Sequence, residues 1–132
     1  MRNTIPFTVL GIALAGCTAP TAPGPLEGQW GGPHAGLVIS EVSVQLEFDC
    51  AGGTIPGRLV LDRTGRFSRV GDFIPGGGPV QIDDSTRAEP ARYAGQVRGG
   101  TMELTVTLLD QGATFGPYTL TRGGNPRVFK CL

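Results

Sequence analysis

The sequence contains few of the residues on which catalytic and metal sites depend. Among 132 residues it has one histidine, three cysteines and two methionines. His34 lacks the other His and Cys ligands that a zinc site takes, and no G-x-S-x-G motif surrounds a serine. The spaced D-x-D-x-D-G calcium loop is absent, and Gly76-Gly77-Gly78 precedes neither a lysine nor a helix, as a phosphate loop would. We therefore expect no enzymatic activity, metal or cofactor, and interpret His34 as a loop residue.

An excess of charge of one sign is also lacking. Eleven Lys and Arg residues balance eleven Asp and Glu residues, and loss of Arg2 with a leader peptide would leave a charge of about −1. This balance gives no reason to expect binding to nucleic acid or strong attraction to a membrane surface. No stretch shows capped helical periodicity. We expect a monomeric, helix-free domain.

The N-terminus has the pattern of a secretory signal. Met1-Arg2-Asn3 supplies one positive charge, and the apolar run from Ile5 to Ala15 follows. The run is shorter than the roughly 20 residues that span a bilayer, and Pro6 interrupts it. A cleaved signal peptide therefore fits better than a membrane helix.

The segment Leu14-Ala15-Gly16-Cys17 resembles the lipobox of bacterial lipoproteins. The resemblance implies that the Cys17 thiol receives a diacylglycerol and that cleavage falls between Gly16 and Cys17. The alternative is an ordinary secretory cut after Ala15, which would leave an unpaired thiol near the mature start. Because Thr18 rather than Asp follows the cysteine, the resemblance implies an outer-membrane protein facing the periplasm in a two-membrane bacterium.

We expect three parts in the chain. Residues 1–16 form the signal peptide, residues 17–26 form the lipidated cysteine and a Thr/Ala/Pro tether, and residues 27–132 form one domain. The tether residues 18–25 would span about 25 Å in extended polyproline geometry.

The domain consists of short runs with period two. Val42, Val44, Leu46 and Phe48, for example, alternate with polar residues, which is typical of a strand with one buried face. Glycine-rich breaks such as Ala51-Gly52-Gly53 predict hairpin turns. We expect strands near residues 28–39, 42–50, 54–62, 66–74, 91–98, 101–109, 113–121 and 127–131. This pattern predicts an all-β fold, an eight-stranded antiparallel up-and-down barrel in which strand one pairs with the last strand.

Gly28-Gln29-Trp30 resembles the G-x-W of the first strand in lipocalins and avidins, the calycin group. The resemblance implies that Trp30 plugs one end of the barrel, with Arg122 or Arg127 over it. The alternative is a buried Trp of an unrelated β-domain.

Other landmarks resemble a group of small, uncharacterised bacterial lipoproteins, which brings no established activity. These are Trp30-Gly31-Gly32, Phe48-Asp49-Cys50, Gly65-Arg66-Phe67, Gly77-Gly78-Pro79, Ala91 to Gly95, Met102 to Val106 and Cys131-Leu132.

Two cysteines remain in the mature domain. Cys50 and Cys131 would lie in an oxidising compartment, so we expect a disulfide between strand two and the last strand. Cys50 is expected on the apolar face of its strand. A redox-active pair is the alternative, but it usually has C-x-x-C spacing.

Two functions remain open for the barrel. The first is a non-catalytic binding module for a small apolar ligand, held by Trp30 and Tyr93 with Gly77 and Gly78 of the nearby loop 75–90, which also contains Asp83-Asp84. The apolar face includes Leu46, Phe48, Tyr93, Met102, Leu104 and Phe115, which can also simply fill the interior. The second is an interaction with an envelope protein, as an inhibitor of a protease or lysozyme would make. An open interior favours the first function and a filled interior favours the second.

Overall fold

A computed structural model describes Gly11, residues 23–76 and residues 88–131. The described residues form strands and no helix. The strands are β1 (Gly24–Pro25), β2 (Gly28–Gly32), β3 (Ala35–Ile39), β4 (Ser43–Phe48), β5 (Ala51–Pro56), β6 (Val60–Leu61), β7 (Arg66–Pro75), β8 (Glu89–Arg98), β9 (Thr101–Leu108) and β10 (Thr114–Arg122).

Eight of these strands close into an antiparallel barrel in the order β10-β2-β3-β4-β5-β7-β8-β9. Each barrel strand pairs with the next barrel strand along the chain, and β10 returns to β2 with Thr121 opposite Gly31 and Arg122 opposite Trp30. The predicted all-β, eight-stranded up-and-down barrel is therefore confirmed. Closure removes free sheet edges, which an open meander would expose.

The barrel has two distinct ends. The tether end carries the entry of the chain at Leu26, the β3–β4 turn, the β5–β7 connection and the β8–β9 turn. The far end carries the turns after β2, β4 and β9, together with Pro75 of β7 and Glu89 of β8. The connection between β7 and β8 thus leaves and re-enters at the far end.

Two predicted strand boundaries are wrong near the glycines. The strand predicted over 28–39 is the β2–β3 hairpin, which turns at Pro33 and His34, the latter with φ of 69°. The turn predicted at Ala51-Gly52-Gly53 belongs to β5, and the chain instead reverses at Asp49 and Cys50, whose φ is 54°. In both cases a residue other than glycine adopts the left-handed conformation that a tight turn requires.

The strand predicted over 54–62 is also divided. β5 ends at Pro56, and the chain then forms β6, which pairs with β1 outside the barrel. The last pair between β5 and β7 is Thr54 with Asp72, and beyond it the two strands separate. The side chain of Arg69 in β7 bridges the gap between them. Its guanidinium donates to the carbonyls of Pro56 and Arg58, each at 2.6 Å. Gly24, Pro25 and the buried Leu26 belong to this ordered end, although the sequence assigned them to the tether.

Residues 127–131 do not form the predicted last strand. The C-terminal segment instead runs along the outside of the β2–β3 hairpin, where Arg127 makes one parallel bridge to Pro33. A Cβ added at Gly36 would overlap Pro126, so glycine allows this close approach. We call residues 123–131 the C-terminal strap. The strand that closes the barrel is β10.

The barrel interior is filled by side chains. Eleven large residues are less than 2 % exposed: Trp30, Leu37, Val44, Ile55, Leu59, Tyr93, Val97, Met102, Leu104, Val106 and Leu120. The alternating pattern in the sequence had placed several of them, among them Val44, Tyr93, Met102 and Leu104, on apolar faces, and the barrel turns those faces inward. Leu26 and Leu59 seal the tether end, where the Leu26 N–H donates to the Leu59 carbonyl at 2.9 Å.

Candidate functional sites at the two ends of the barrel

Trp30 is fully buried beneath Arg122 at the tether end. The guanidinium carbon of Arg122 lies 4.6 Å from the centre of the indole ring. This is the arrangement expected of a plug, with Arg122 rather than Arg127 as the covering residue. Within the described part of the chain, the indole Nε1 has no hydrogen-bond partner, so packing and the cation–π contact are the interactions that hold the ring.

Tyr93 is equally buried, but its hydroxyl is satisfied. It donates to the carbonyl of Asp72 at 2.8 Å, and its ring occupies the space left by the missing side chain of Gly53. Burial raises the pKa of the Tyr93 phenol well above 10.0, and the Asp72 carboxylate adds to this shift. The phenol is therefore a neutral core group at neutral pH.

Of the four predicted ligand contacts, the structure describes only Trp30 and Tyr93. Trp30 and Tyr93 are both 0 % exposed, whereas Gly77 and Gly78 lie outside the described residues, as do Asp83 and Asp84. Pro75 and Glu89, which flank the part of loop 75–90 that lies outside the described residues, are at the far end, whereas Trp30 and Arg122 are at the tether end. The ligand assignment itself stays a prediction.

Five aromatic rings form a connected cluster at the far end. Phe48 lies 5.9 Å from Phe73, 6.5 Å from Tyr93 and 5.4 Å from Tyr118 between ring centres, and Phe73 stacks on Phe115 at 5.9 Å. Phe115 is 40 % exposed and Tyr118 is half-buried, so the cluster extends from the core to the surface. Burial raises the pKa of the Tyr118 phenol, and the Asp49 carboxylate contributes.

A bulge in β10 assembles this cluster. Phe115 pairs with Val106 and Tyr118 pairs with Leu104, and the register shifts between them. In a regular strand, residues three apart face opposite sides of the sheet. The bulge therefore turns both rings toward the interior. The sequence placed Phe115 on the apolar face, but it gave no signal for the irregularity that brings Tyr118 to the same side.

Beside this cluster, His34 and Asp49 link the β2–β3 turn to the β4–β5 turn. Nδ1 of His34 contacts Oδ2 of Asp49, and the Phe129 N–H donates to Oδ1 of Asp49 at 2.8 Å. The bond from Phe129 holds the pKa of the Asp49 carboxyl below its ordinary value, and His34 lowers it further. Phe129 is 69 % exposed, and its ring centre lies 6.1 Å from that of His34. The prediction of a loop position for His34 is confirmed.

A cysteine pair brings the C-terminal strap to the β4–β5 turn. Cys50 and Cys131 lie at disulfide distance, with Cα atoms 4.9 Å apart. Cys50 occupies the β4–β5 turn and is half-buried, so its predicted place on the apolar face of a strand is wrong. The pair joins that turn to the strap rather than to a last strand. The N–H of Cys50 also donates to the Phe129 carbonyl at 2.9 Å.

The outer wall carries a groove of about 740 Å³. Residues of the β5–β7 connection and of β7, β8 and β9 line it, among them Asp62, Arg66, Gln96 and Glu103. Neither Trp30 nor Tyr93, the two predicted ligand contacts within the described ranges, belongs to its lining. Within the described ranges, no cluster of three or more His, Cys, Asp or Glu side chains is arranged to hold a metal ion.

The predicted lipidation site and cleavage site, Gly16 and Cys17, lie outside the described residues. In the part of the chain that is described, no helix has the length and apolar character needed to cross a membrane. The chain has no significant match to a protein-family model, to a curated protein or to a solved structure. The resemblances to lipoproteins and calycins thus remain expectations from sequence.

Proposed function

We propose that this chain is a lipid-anchored lipoprotein of the cell envelope whose barrel is a non-catalytic module for binding an envelope protein. The signal pattern and the lipobox ending at Cys17 support the anchor. The sequence contains no recognisable grouping of a nucleophile with an acid or a base, which supports the non-catalytic assignment.

The packed interior is the observation that favours a protein partner over an enclosed ligand. Small eight-stranded barrels either fill their interior with side chains or hold one small ligand. Here Trp30, Tyr93 and Met102 are all 0 % exposed within the barrel. Contact with another molecule then has to use the outer surface.

The far end has the surface best suited to a partner. Phe115 and Phe129 are 40 % and 69 % exposed, and aromatic residues are enriched at protein interfaces. The His34–Asp49 pair next to Phe129 adds polar groups with a fixed position. Because buried contacts anchor the rest of the cluster, Phe115 would lose little conformational freedom on binding.

Photo-crosslinking in living cells tests this function. A photoreactive amino acid replaces Phe115 or Phe129, and Val70, which is 45 % exposed on the outer side of β7, serves as the control position. We expect positions 115 and 129 to give an adduct with the same envelope protein and position 70 to give none. Phe115→Ser with Phe129→Ser should also weaken binding of that protein. Adducts no stronger than those at position 70 would contradict the proposal.

A small apolar ligand remains the second candidate, and the aromatic cluster is the observation that favours it. The rings continue from exposed Phe115 through Phe73 and Phe48 to buried Tyr93. A ligand held there would be detected by native mass spectrometry of the protein purified from membranes. The Phe115→Ser variant should lose such a ligand, whereas Val70→Ser should keep it.

A further inference from the structure

We propose that the tether end of the barrel lies against the bilayer and binds anionic phospholipid headgroups. This inference rests on the proposed lipid anchor at Cys17 and adds an orientation and a lipid preference to it. The surface consists of the β3–β4 turn, the β5–β7 connection and the neighbouring ends of β8 and β10. Its partner is the surface of the membrane to which the chain is anchored.

The length of the tether restricts which end can reach the membrane. Because Gly24 and Pro25 pair with Leu61 and Val60, six residues, 18–23, separate Cys17 from the paired chain. Six residues span about 19 Å when extended. The ten residues of β7 cover about 25 Å along a tilted barrel. The far end therefore cannot turn to the bilayer, whereas the tether end cannot move far from it.

Exposed apolar side chains lie where the chain enters. Val42 is 76 % exposed in the β3–β4 turn, and Val60, opposite Pro25, is 53 % exposed. The two belong to one surface, because the Gly57 N–H donates to the Val42 carbonyl at 2.8 Å and Arg58 pairs with Glu41 at 3.5 Å. Small apolar groups beside positive charges are typical of surfaces that rest at the headgroup level.

Positive charge is concentrated at the same end, although the whole chain is balanced. Six arginines outnumber four carboxylates among the residues that the structure describes there: Arg58, Arg63, Arg66, Arg69, Arg98 and Arg122 against Glu27, Glu41, Asp62 and Glu103. The described far end instead has four carboxylates and two cations: Glu47, Asp49, Glu89 and Asp110 with Arg127 and Lys130. This asymmetry is complementary to an anionic membrane on the tether side.

The single tryptophan allows the distance between the tether end and the headgroups to be measured. Trp30 lies at the tether end, so its energy transfer to dansyl-labelled phosphatidylethanolamine reports how closely this end approaches the headgroups. The mature lipoprotein is reconstituted into phosphatidylcholine vesicles with and without phosphatidylglycerol. We expect higher transfer with phosphatidylglycerol, and loss of that increase at high salt.

A matched pair of variants separates this surface from the rest of the barrel. Val42→Ser with Arg63→Glu, or Arg63→Glu alone, changes the tether end. Val70→Ser with Arg92→Glu changes two neighbouring residues of the side wall, which pair between β7 and β8. We expect each unit of positive charge lost from the tether end to lower the equilibrium constant for the bound orientation about fivefold. The side-wall variant should behave like the unchanged protein.

The outcomes distinguish the orientation from the anchor. Flotation of the protein with phosphatidylcholine vesicles at high salt reports whether the lipid on Cys17 holds it to the membrane. A protein that fails to float would contradict the anchor. Among floated molecules, equal transfer in both lipid mixtures, or an equal effect of the two sets of variants, would overturn the proposed surface while leaving the anchor intact. Circular dichroism confirms that the variants compared are folded.

Discussion

The guanidinium of Arg122 covers the ring of Trp30 at 4.6 Å, and these two residues are also direct partners across the seam that closes the barrel. The contact therefore joins the first and last barrel strands at the tether end. The buried ring fills the interior just where those strands meet. Loss of the ring should affect closure of the whole barrel.

Trp30→Ala should destabilise the domain by about 3–5 kcal/mol, as loss of a buried aromatic side chain usually does. A domain of this size is stable by only about 5–15 kcal/mol, so the midpoint of thermal unfolding should fall markedly. Circular dichroism melts of the two proteins provide the comparison. An unchanged midpoint would exclude the plug and make Trp30 a candidate for binding instead.

Substitutions of Tyr93 and Gly53 should have coupled effects on the free energy of unfolding. Gly53→Ala places a Cβ against the Tyr93 hydroxyl and should destabilise strongly. Tyr93→Phe removes a hydrogen bond and should cost about 0.5–1.5 kcal/mol by itself. In the double variant the Phe ring leaves more room, so the combined loss in unfolding free energy should be smaller than the sum of the two. Additive losses in denaturant titrations would contradict this contact.

A disulfide between Cys50 and Cys131 should stabilise the domain by up to about 4.5 kcal/mol according to the chain-entropy estimate, since it closes a long loop. Mass mapping of a non-reduced digest should find one cross-linked peptide pair, and reduction should lower the melting midpoint. Cys17→Ser is the control, because it should leave this pair intact. Two freely alkylated thiols in the native exported protein would refute the bond.

Cys17 should carry lipid. The Cys17→Ser variant should lose fatty-acid labelling and its attachment to membranes, because the thiol that accepts the diacylglycerol is gone. Cys131→Ser, which affects only the mature domain, should keep both. A Cys17→Ser protein that is still labelled and membrane-bound would eliminate the lipidation proposal.

The C-terminal strap should loosen in acid. The pKa of Asp49 is depressed below its ordinary value of 3.8 in the folded protein, so its stabilising effect is present above that value. The effect is lost as the pH falls through the lower, folded-state pKa. Hydrogen exchange of the Phe129 amide, corrected for its intrinsic pH dependence, should therefore accelerate in that range. In Asp49→Asn this acceleration should be absent, and an identical pH profile would contradict it.

Much of the fold was predictable because strand periodicity is a local property. The alternation of Val44, Leu46 and Phe48 with polar residues identifies a buried face without knowledge of any partner. The run of hairpins then favoured a meander, and the structure confirms the closed barrel. The Trp30–Arg122 contact was also anticipated, from the G-x-W resemblance, but with Arg127 as an equal alternative.

The positions of the turns were less predictable, because a glycine can serve either a tight turn or a close packing contact within a strand. Gly52 and Gly53 lie inside β5, where Gly53 makes room for Tyr93, while His34 and Cys50 occupy the left-handed turn positions. Position 53 has to be glycine because of the ring of Tyr93, which is 40 residues away in the chain. Such a need is set by packing across the barrel and leaves no local signal.

The sequence by itself determined the alternating strands, the cysteine pairing to be expected and the predicted signal with its lipobox, since each depends on neighbouring residues or on residue type. Only the tertiary structure decided that the C-terminal strap crosses the β2–β3 hairpin, that a bulge brings Phe115 and Tyr118 onto one face, and that positive charge gathers at the tether end. These features depend on barrel closure and register, which place residues distant in sequence side by side. A linear pattern cannot contain that information, because the energy of each such contact depends on all the strands between the two residues.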